Sequence, residues 1–544
     1  MRKKTLSALL CTVAAMAVLT GCGGDKKETA AAPAEGNTTA AVTEAAKTEA
    51  ETTAAVQTEA GGEKNLVMPS ASCVANLNPL LEGYKEAAML NPIYDPLYVI
   101  DVNETRYYLA DSYEVSEDGM QITVKLKEGL KWHDGEAITA DDMIFTMDVC
   151  SVTNNGAGGT NIVILNDQPV KYEKVDDLTV KVTLPMASAS YADLLGGLTL
   201  IPEHVFEGNP SVVSAGEANM KGIGSGPYKV TEFKQDEYLL LEKYEDYYMG
   251  APSIDKVTFR IISDLSAQEV ALMNGEVNFM ELANAPAVAK YEADPNFTVV
   301  KYPEGRVNYL AVNKFCETVQ DPKVVEAVFA ALNRDEIIAG AYGDGMAESA
   351  NSIFSNVNTF YDPSVEGYTQ DVEKAKQLVK ETGLDSKTLT LYFNSERVYM
   401  KESAQIIQQQ LKNVGINLEV IPLESAGFFE KVFGTDGDYE FYLNGYGAVG
   451  DPDQVVAGMY DGTWGVNLAV SDEVSQLWKD ARTVYTPEER AAIYKQIQIQ
   501  TRDELTCYPI AYPNYVFVTT SNIKGADTIK RTPVFEDYTK LTME

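Results

Sequence analysis

Residues 23–65 contain no aromatic side chain and no Leu, Ile or Phe. Forty-three consecutive residues of that kind cannot bury enough apolar surface to offset the entropy of ordering them. Any folded body must therefore lie in residues 66–544. The Ala/Thr/Glu-rich segment, typified by Ala40-Ala41-Val42-Thr43-Glu44-Ala45-Ala46, reads as a disordered tether. Treated as a flexible coil, it has a mean reach of about 36 Å. An amphipathic Ala/Glu helix is the competing reading, but the frequent Thr and the missing apolar stripe disfavour it.

Ahead of the tether, Arg2, Lys3 and Lys4 precede an unbroken run of apolar or small residues from Leu6 to Leu19. That run is too short to span a hydrocarbon core of roughly 30 Å comfortably and reads as a secretory signal over residues 1–21. It ends in Leu19-Thr20-Gly21-Cys22, which resembles the bacterial lipobox. The resemblance implies that Cys22 is lipidated and becomes the first residue of the mature chain. Stable anchoring needs more than one acyl chain, and no other stretch approaches 18 consecutive apolar residues. The lipid is thus the only membrane attachment expected.

The formal charge is −36, and removing residues 1–21 takes away three positive charges and no negative ones, leaving −39. So acidic a chain lacks the Lys/Arg footprint that phosphate contacts require, which excludes a nucleic-acid partner. Hydrophobic residues at 45% and charged residues at 23% fit a soluble globular body of two to four domains. Cys73, Cys150, Cys316 and Cys507 are widely separated and form no C-x-x-C or Cys/His spacing. They are open to either disulfides or buried free thiols. His133 and His204 are the only histidines, so a His-rich metal centre is not supported.

The body mixes strand and helix patterns. Gln121-Ile122-Thr123-Val124-Lys125-Leu126 alternates polar and apolar residues, as do 178–184 and 257–262, and each predicts a strand. Thr139 followed by Asp141 and Asp142 predicts a helix start. Helices are predicted over 323–333, 371–382 with Gly383 as C-cap, 398–414 and 487–502, with a strand at 416–421.

Several motifs then fall into one order. Leu126-Lys127-Glu128-Gly129-Leu130-Lys131-Trp132-His133-Asp134-Gly135, Ile201-Pro202-Glu203-His204-Val205 and Gly224-Ser225-Gly226-Pro227-Tyr228 are followed by Ala271-Leu272-Met273-Asn274-Gly275-Glu276-Val277 and Ala330-Ala331-Leu332-Asn333-Arg334-Asp335-Glu336. Together they resemble the family 5 extracellular solute-binding proteins, the peptide/nickel class of ABC importers, across essentially all of 66–544. The resemblance implies an α/β, two-lobed venus-flytrap fold with an extra domain inserted in the N-terminal lobe. Domain I would comprise 66–85, 201–304 and 512–544, domain II the insert 86–200, and domain III 305–511. The lobes would hinge near Arg306 and Tyr512.

Catalytic readings weigh less. His133-Asp134-Gly135 is read as part of a family turn, and Gly222 to Pro227 lacks the Lys-Ser/Thr of a P-loop. Asp451 and Asp453 have the look of paired glycosidase carboxylates, yet loop or capping roles suit so acidic a chain better. No G-x-S-x-G or H-E-x-x-H occurs. No catalytic residue, metal or cofactor is assigned, and a surface hydrolase stands as the different-class alternative.

Asn444-Gly445-Tyr446-Gly447-Ala448-Val449-Gly450-Asp451-Pro452-Asp453 resembles the family loop that ends in Gly-Asp-Pro. Peptide-binding members often carry, two residues before that Gly, an Asp that clamps the ligand's α-ammonium. An ungapped match puts Ala448 there. The amine is then held by Asp451 or another acid, or the ligand has no peptide-like N-terminus. Tyr446 and Trp464 are the expected aromatic contacts, combining area with a polar handle, and Asn467 the expected polar one.

The expected function is a lipid-anchored, monomeric receptor on the outer face of the cell membrane. It would bind a small polar ligand, foremost a short peptide, and deliver it to ABC permease subunits. A nickel chelate or glycan is the same-fold alternative. Replacing Cys22→Ser is expected to release the protein into the soluble fraction, and retention on membranes washed in high salt would contradict the anchor.

Overall fold

Alternation of apolar and polar side chains decides the first strands. In Gln121–Leu126 the residues Ile122, Val124 and Leu126 are buried while Gln121 and Lys125 face solvent. The computed structural model describes residues 63–81, 89–100, 104–152, 159–447, 450–461, 466–529 and 537–544. Gln121–Leu126 joins Ala110–Val115, Thr179–Thr183 and Lys171–Asp176 in a four-stranded antiparallel sheet. Helix Ala140–Ser151 packs on it. Its N-terminus carries a reciprocal capping box in which the Thr139 hydroxyl and the Asp142 carboxylate satisfy backbone N–H groups.

A second four-stranded sheet pairs Asn65–Ser70 in parallel with Lys256–Ile261, which continues antiparallel to Tyr238–Lys243 and Tyr228–Lys234. The first strand of the body is thereby stitched to a segment far along the chain. Loops that flank these two sheets touch where two sequence motifs, 91 positions apart, come together. The Gly224 N–H donates to His133 Nδ1 at 3.2 Å, and His133 Nε2–H donates to the Gly226 carbonyl at 2.9 Å. Both ring nitrogens are used by the neutral imidazole, and burial holds its pKa down to about 4. A Cβ at Gly224 would sit 1.9 Å from the Ile93 carbonyl oxygen, so only glycine fits that close approach. The Trp-His-Asp-Gly and Gly-Ser-Gly-Pro motifs are thus two halves of one packing contact.

The third sheet is the largest. Arg306–Val312, Phe441–Gly447, Thr388–Asn394 and Asn417–Leu423 lie side by side, the last two parallel and connected through helix Val398–Asn413. Leu389, Leu391, Phe393, Ala404, Ile407, Leu411 and Leu418 form the core between helix and sheet. Helices Pro322–Ala331, Val372–Thr382 and Pro487–Asp503 lie within two residues of their predicted ends, and Gly383 closes the second of them in a left-handed C-cap.

One strand links the two bodies. The first half of Cys507–Thr520 pairs with Arg306–Val312 and Ala347–Ser349. Its second half pairs with Phe279–Glu281 and Phe297–Pro303. Its neighbours Phe297–Pro303 and Arg306–Val312 are joined through Glu304 and Gly305, the latter at φ +74°. The Glu304 N–H donates to the Pro513 carbonyl at 2.9 Å, locking the two crossings together. The architecture is a two-lobed α/β fold whose lobes connect along adjacent strands. Cys73, Cys150, Cys316 and Cys507 are all free thiols. Among the described residues, no helix is long and apolar enough to cross a membrane.

Candidate functional site

Strand Phe441–Gly447 pairs with Arg306–Val312 in such register that Tyr446 opposes Val307 and Gly447 opposes Arg306. The strand therefore delivers its last residues to the crossing between lobes. Gly450 and Asp451 resume the chain on the far side of residues 448 and 449. Ala448, Trp464 and Cys22 lie outside the described residues.

Tyr446 points into the second lobe, with its ring 5.1 Å from that of Tyr309. Its hydroxyl donates to the Ile353 carbonyl at 2.7 Å and lies 3.1 Å from the Tyr460 hydroxyl. An aromatic with its polar end so occupied is a core brace in this state rather than an open contact.

Asp451 was expected as a candidate for the ligand's amine, and the structure engages it within the chain instead. Arg490 grips its carboxylate with two bonds, Nη1 to Oδ2 at 2.5 Å and Nη2 to Oδ1 at 3.0 Å. Oδ1 also caps helix Pro452–Val455 by accepting the Asp453 N–H at 3.0 Å. Residues 451 and 490 are only 7% and 5% exposed, so this is a buried, bidentate pair. Asn467 is fully buried, its Nδ2 donating to the Lys431 carbonyl and to the Tyr439 hydroxyl. It braces the chain beneath strand Phe441–Gly447 and offers nothing to solvent. Tyr446 and Asn467 thus serve one aromatic core, and Asp451 stands apart on the turn that follows.

Other residues complete the region. The Asp451 N–H donates to Asp193 Oδ2 at 2.9 Å. Asp193 belongs to the short helix Tyr191–Gly196 of the other lobe. Burial pushes its pKa up to about 6, and the nearby Asp451 carboxylate adds to the rise against the Asp451 N–H and Arg490. Asp453 is likewise raised by burial, with Arg482 Nε at 2.5 Å from its Oδ1 opposing the rise. Sequence reasoning missed Asp193, Arg482 and Arg490. Nothing local marks them, because each matters only through a partner distant in sequence. Among the described residues, no group of three or more His, Cys, Asp and Glu is placed to hold a metal ion.

Residues 104–467 match the model of bacterial extracellular solute-binding proteins, family 5 middle region. The chain is similar to the dipeptide-binding protein of Escherichia coli, at 27% identity over 85% of this chain and 92% of the relative. It is similar to the oligopeptide-binding protein AppA of Bacillus subtilis, at 29% identity over 77% of this chain and 80% of that one. Among solved structures, the ABC transporter substrate-binding protein CtaP of Listeria monocytogenes superposes with a TM-score of 0.82. Their identity is 33%, covering 88% of this chain and 99% of that one.

The Arg490 pair makes a direct prediction. Asp451→Ala leaves a buried guanidinium without its counter-charge and is expected to lower the unfolding free energy by roughly 3–5 kcal/mol. Urea denaturation measures this. Unchanged stability with lost ligand affinity would return Asp451 to the role of ligand acceptor.

Proposed function

The chain belongs to the bacterial extracellular solute-binding proteins of family 5, and from that premise we propose that it captures short peptides by closing its lobes and passes them to ABC permease subunits. The observation that carries the reading is the pair of adjacent strand crossings, which leaves two separately packed bodies free to rotate about one line. The peptide class is supported by the dipeptide- and oligopeptide-binding relatives. Capture needs no bond chemistry, because a ligand bridging two lobes draws the equilibrium toward the closed state by its differential affinity alone.

In this proposal domain I is 66–85, 201–304 and 512–544, domain II is 86–200 and domain III is 305–511. The receptor works as a monomer on the outer face of the membrane, held by lipidated Cys22 and the tether over residues 22–65. Such a tether keeps the receptor at high effective concentration near its permease. Trp464 supplies an aromatic wall for the ligand. Ala448 leaves the end of strand Phe441–Gly447 without the carboxylate that would clamp a free amine there.

Native mass spectrometry of the protein purified without added ligand tests the solute class. Adducts with the masses of short peptides are expected, whereas a nickel chelate or a glycan would replace the peptide reading. With such a peptide in hand, Trp464→Ala is expected to weaken binding by roughly 1–3 kcal/mol, up to about a hundredfold. Calorimetric titration reads this, and unchanged affinity with a lowered unfolding midpoint would assign Trp464 to the core.

A further inference from the structure

We propose that Arg306 and a polar recess beside it hold the ligand by a carboxylate, so that this receptor selects short peptides by their negative end rather than by a free amine. The proposal rests on the peptide reading above and deepens it. Strands Thr388–Asn394, Asn417–Leu423 and Phe441–Gly447 run parallel, so their carboxyl ends share one edge of the large sheet. Ligands of open α/β sheets bind outside that edge. Arg306 stands there, opposite Gly447, the last residue of its strand.

Arg306 is half-buried. Its Nε donates to Asn308 Oδ1 at 3.2 Å and its Nη2 to the Gly445 carbonyl at 2.7 Å. Both acceptors are neutral, and Nη1 takes part in neither bond. Arg482 and Arg490, by contrast, are each held by a buried carboxylate. The two bonds of Arg306 fix the plane of its guanidinium without neutralising it, and the remaining N–H groups keep the fork that suits a carboxylate. A Cβ at Gly445 would lie 2.0 Å from Asn308 Oδ1 and 3.0 Å from Arg306 Nε, so a side chain there would push amide and guanidinium apart.

The recess lies between the sheet and helix Val398–Asn413. Asn308, Tyr342, Tyr399, Ser403 and Asn444 supply its polar lining, and no charged side chain is among the residues that line it. Asn308 joins it to Arg306, since its Oδ1 accepts from the guanidinium while its Nδ2 donates to the Tyr342 hydroxyl at 2.8 Å. The Tyr342 and Tyr399 rings stack with centroids 5.3 Å apart. Ser403 is only 2% exposed, yet its Oγ has no hydrogen-bond partner among the described residues, and the same holds for the buried Tyr399 hydroxyl. Two buried hydroxyls without partners cost their desolvation unless another group meets them. Both can donate, and a carboxylate offers only acceptors. An ammonium placed there would find no counter-charge and would face Arg306. Ala448 brings no carboxylate to the loop beyond, and the Asp451 carboxylate is already gripped by Arg490. The groups gathered at Arg306 thus fit the negative end of a peptide and disfavour the positive one.

The test offers the full-length protein one random tripeptide library in free, N-acetylated and C-terminally amidated form, with bound peptides identified by native mass spectrometry. Free and acetylated peptides are expected to bind alike. Amidation is expected to reduce adducts roughly tenfold or more, with the survivors enriched in Asp or Glu, whose side chain then supplies the carboxylate. For the tightest free-acid tripeptide, calorimetry is expected to show Arg306→Gln weakening binding roughly tenfold to a hundredfold. The amidated form of that peptide is expected to be unaffected, so that the preference for the free acid disappears. Arg306→Lys, which keeps the charge without the fork, is expected to recover part of the loss. Ser403→Ala is expected to weaken binding several-fold with an unfolding midpoint no lower than that of the unaltered protein, because it removes a hydroxyl the fold does not use. Amidated peptides binding as well as free ones, loss of binding on acetylation, an unchanged preference in Arg306→Gln or an unchanged affinity in Ser403→Ala would each overturn the proposal and leave the peptide reading standing. No adduct from any of the libraries would contradict the peptide reading itself, and the proposal with it.

Discussion

The structure depends on the hydrogen-bonded crossing of two neighbouring strand segments between its lobes. Strand Cys507–Thr520 serves both lobes at once, and the run from Phe297 to Val312 follows it through the same gap. Opposed pairs such as Tyr302 with Tyr515 and Pro303 with Asn514 lead up to the crossing, and the Glu304 to Pro513 bond sits in it. Two adjacent strands bend by small dihedral changes at a few residues, with Gly305 free to take up its positive φ. The core around Leu310, Leu389 and Leu411 lies to one side, and those around Trp132 and Phe259 lie to the other. Relative motion of the lobes can proceed without opening any of them.

Charge is arranged with the same economy. A chain with 80 acidic residues against 44 basic ones has few cations to place. Two of them, Arg482 and Arg490, are committed to the single turn that faces the other lobe. Burying Asp451 with Arg490 fixes the backbone of that turn, because each charged group loses water and is compensated only in one geometry. The turn can then meet Asp193 and Ser190 with its amide and side chains already aimed.

Local order was largely legible in the sequence. The alternation in Gln121–Leu126, the cap at Thr139 and the glycine after Thr382 each act within a few residues, and each is read from spacing alone. The two lobes and the crossings near Arg306 and Tyr512 were legible through the resemblance of ordered motifs, not through periodicity. Long-range pairing was not legible. Nothing near His133 says that its ring will hold Gly224 and Gly226, and nothing near Arg490 selects Asp451 from 80 acidic side chains. The site suffered most from this. Among 31 tyrosines, the sequence does not show that the Tyr446 hydroxyl is engaged by the Ile353 carbonyl. Asn467 looked like a polar loop residue because its partners, Lys431 and Tyr439, lie some thirty positions away.

Capture by closure about these crossings is tested most directly by small-angle X-ray scattering of the same protein with and without a peptide whose binding has been verified by calorimetry. Saturation is expected to reduce the radius of gyration and to sharpen the distribution of interatomic distances, as the more open molecules in the population close. A scattering profile unchanged at full occupancy would contradict the account.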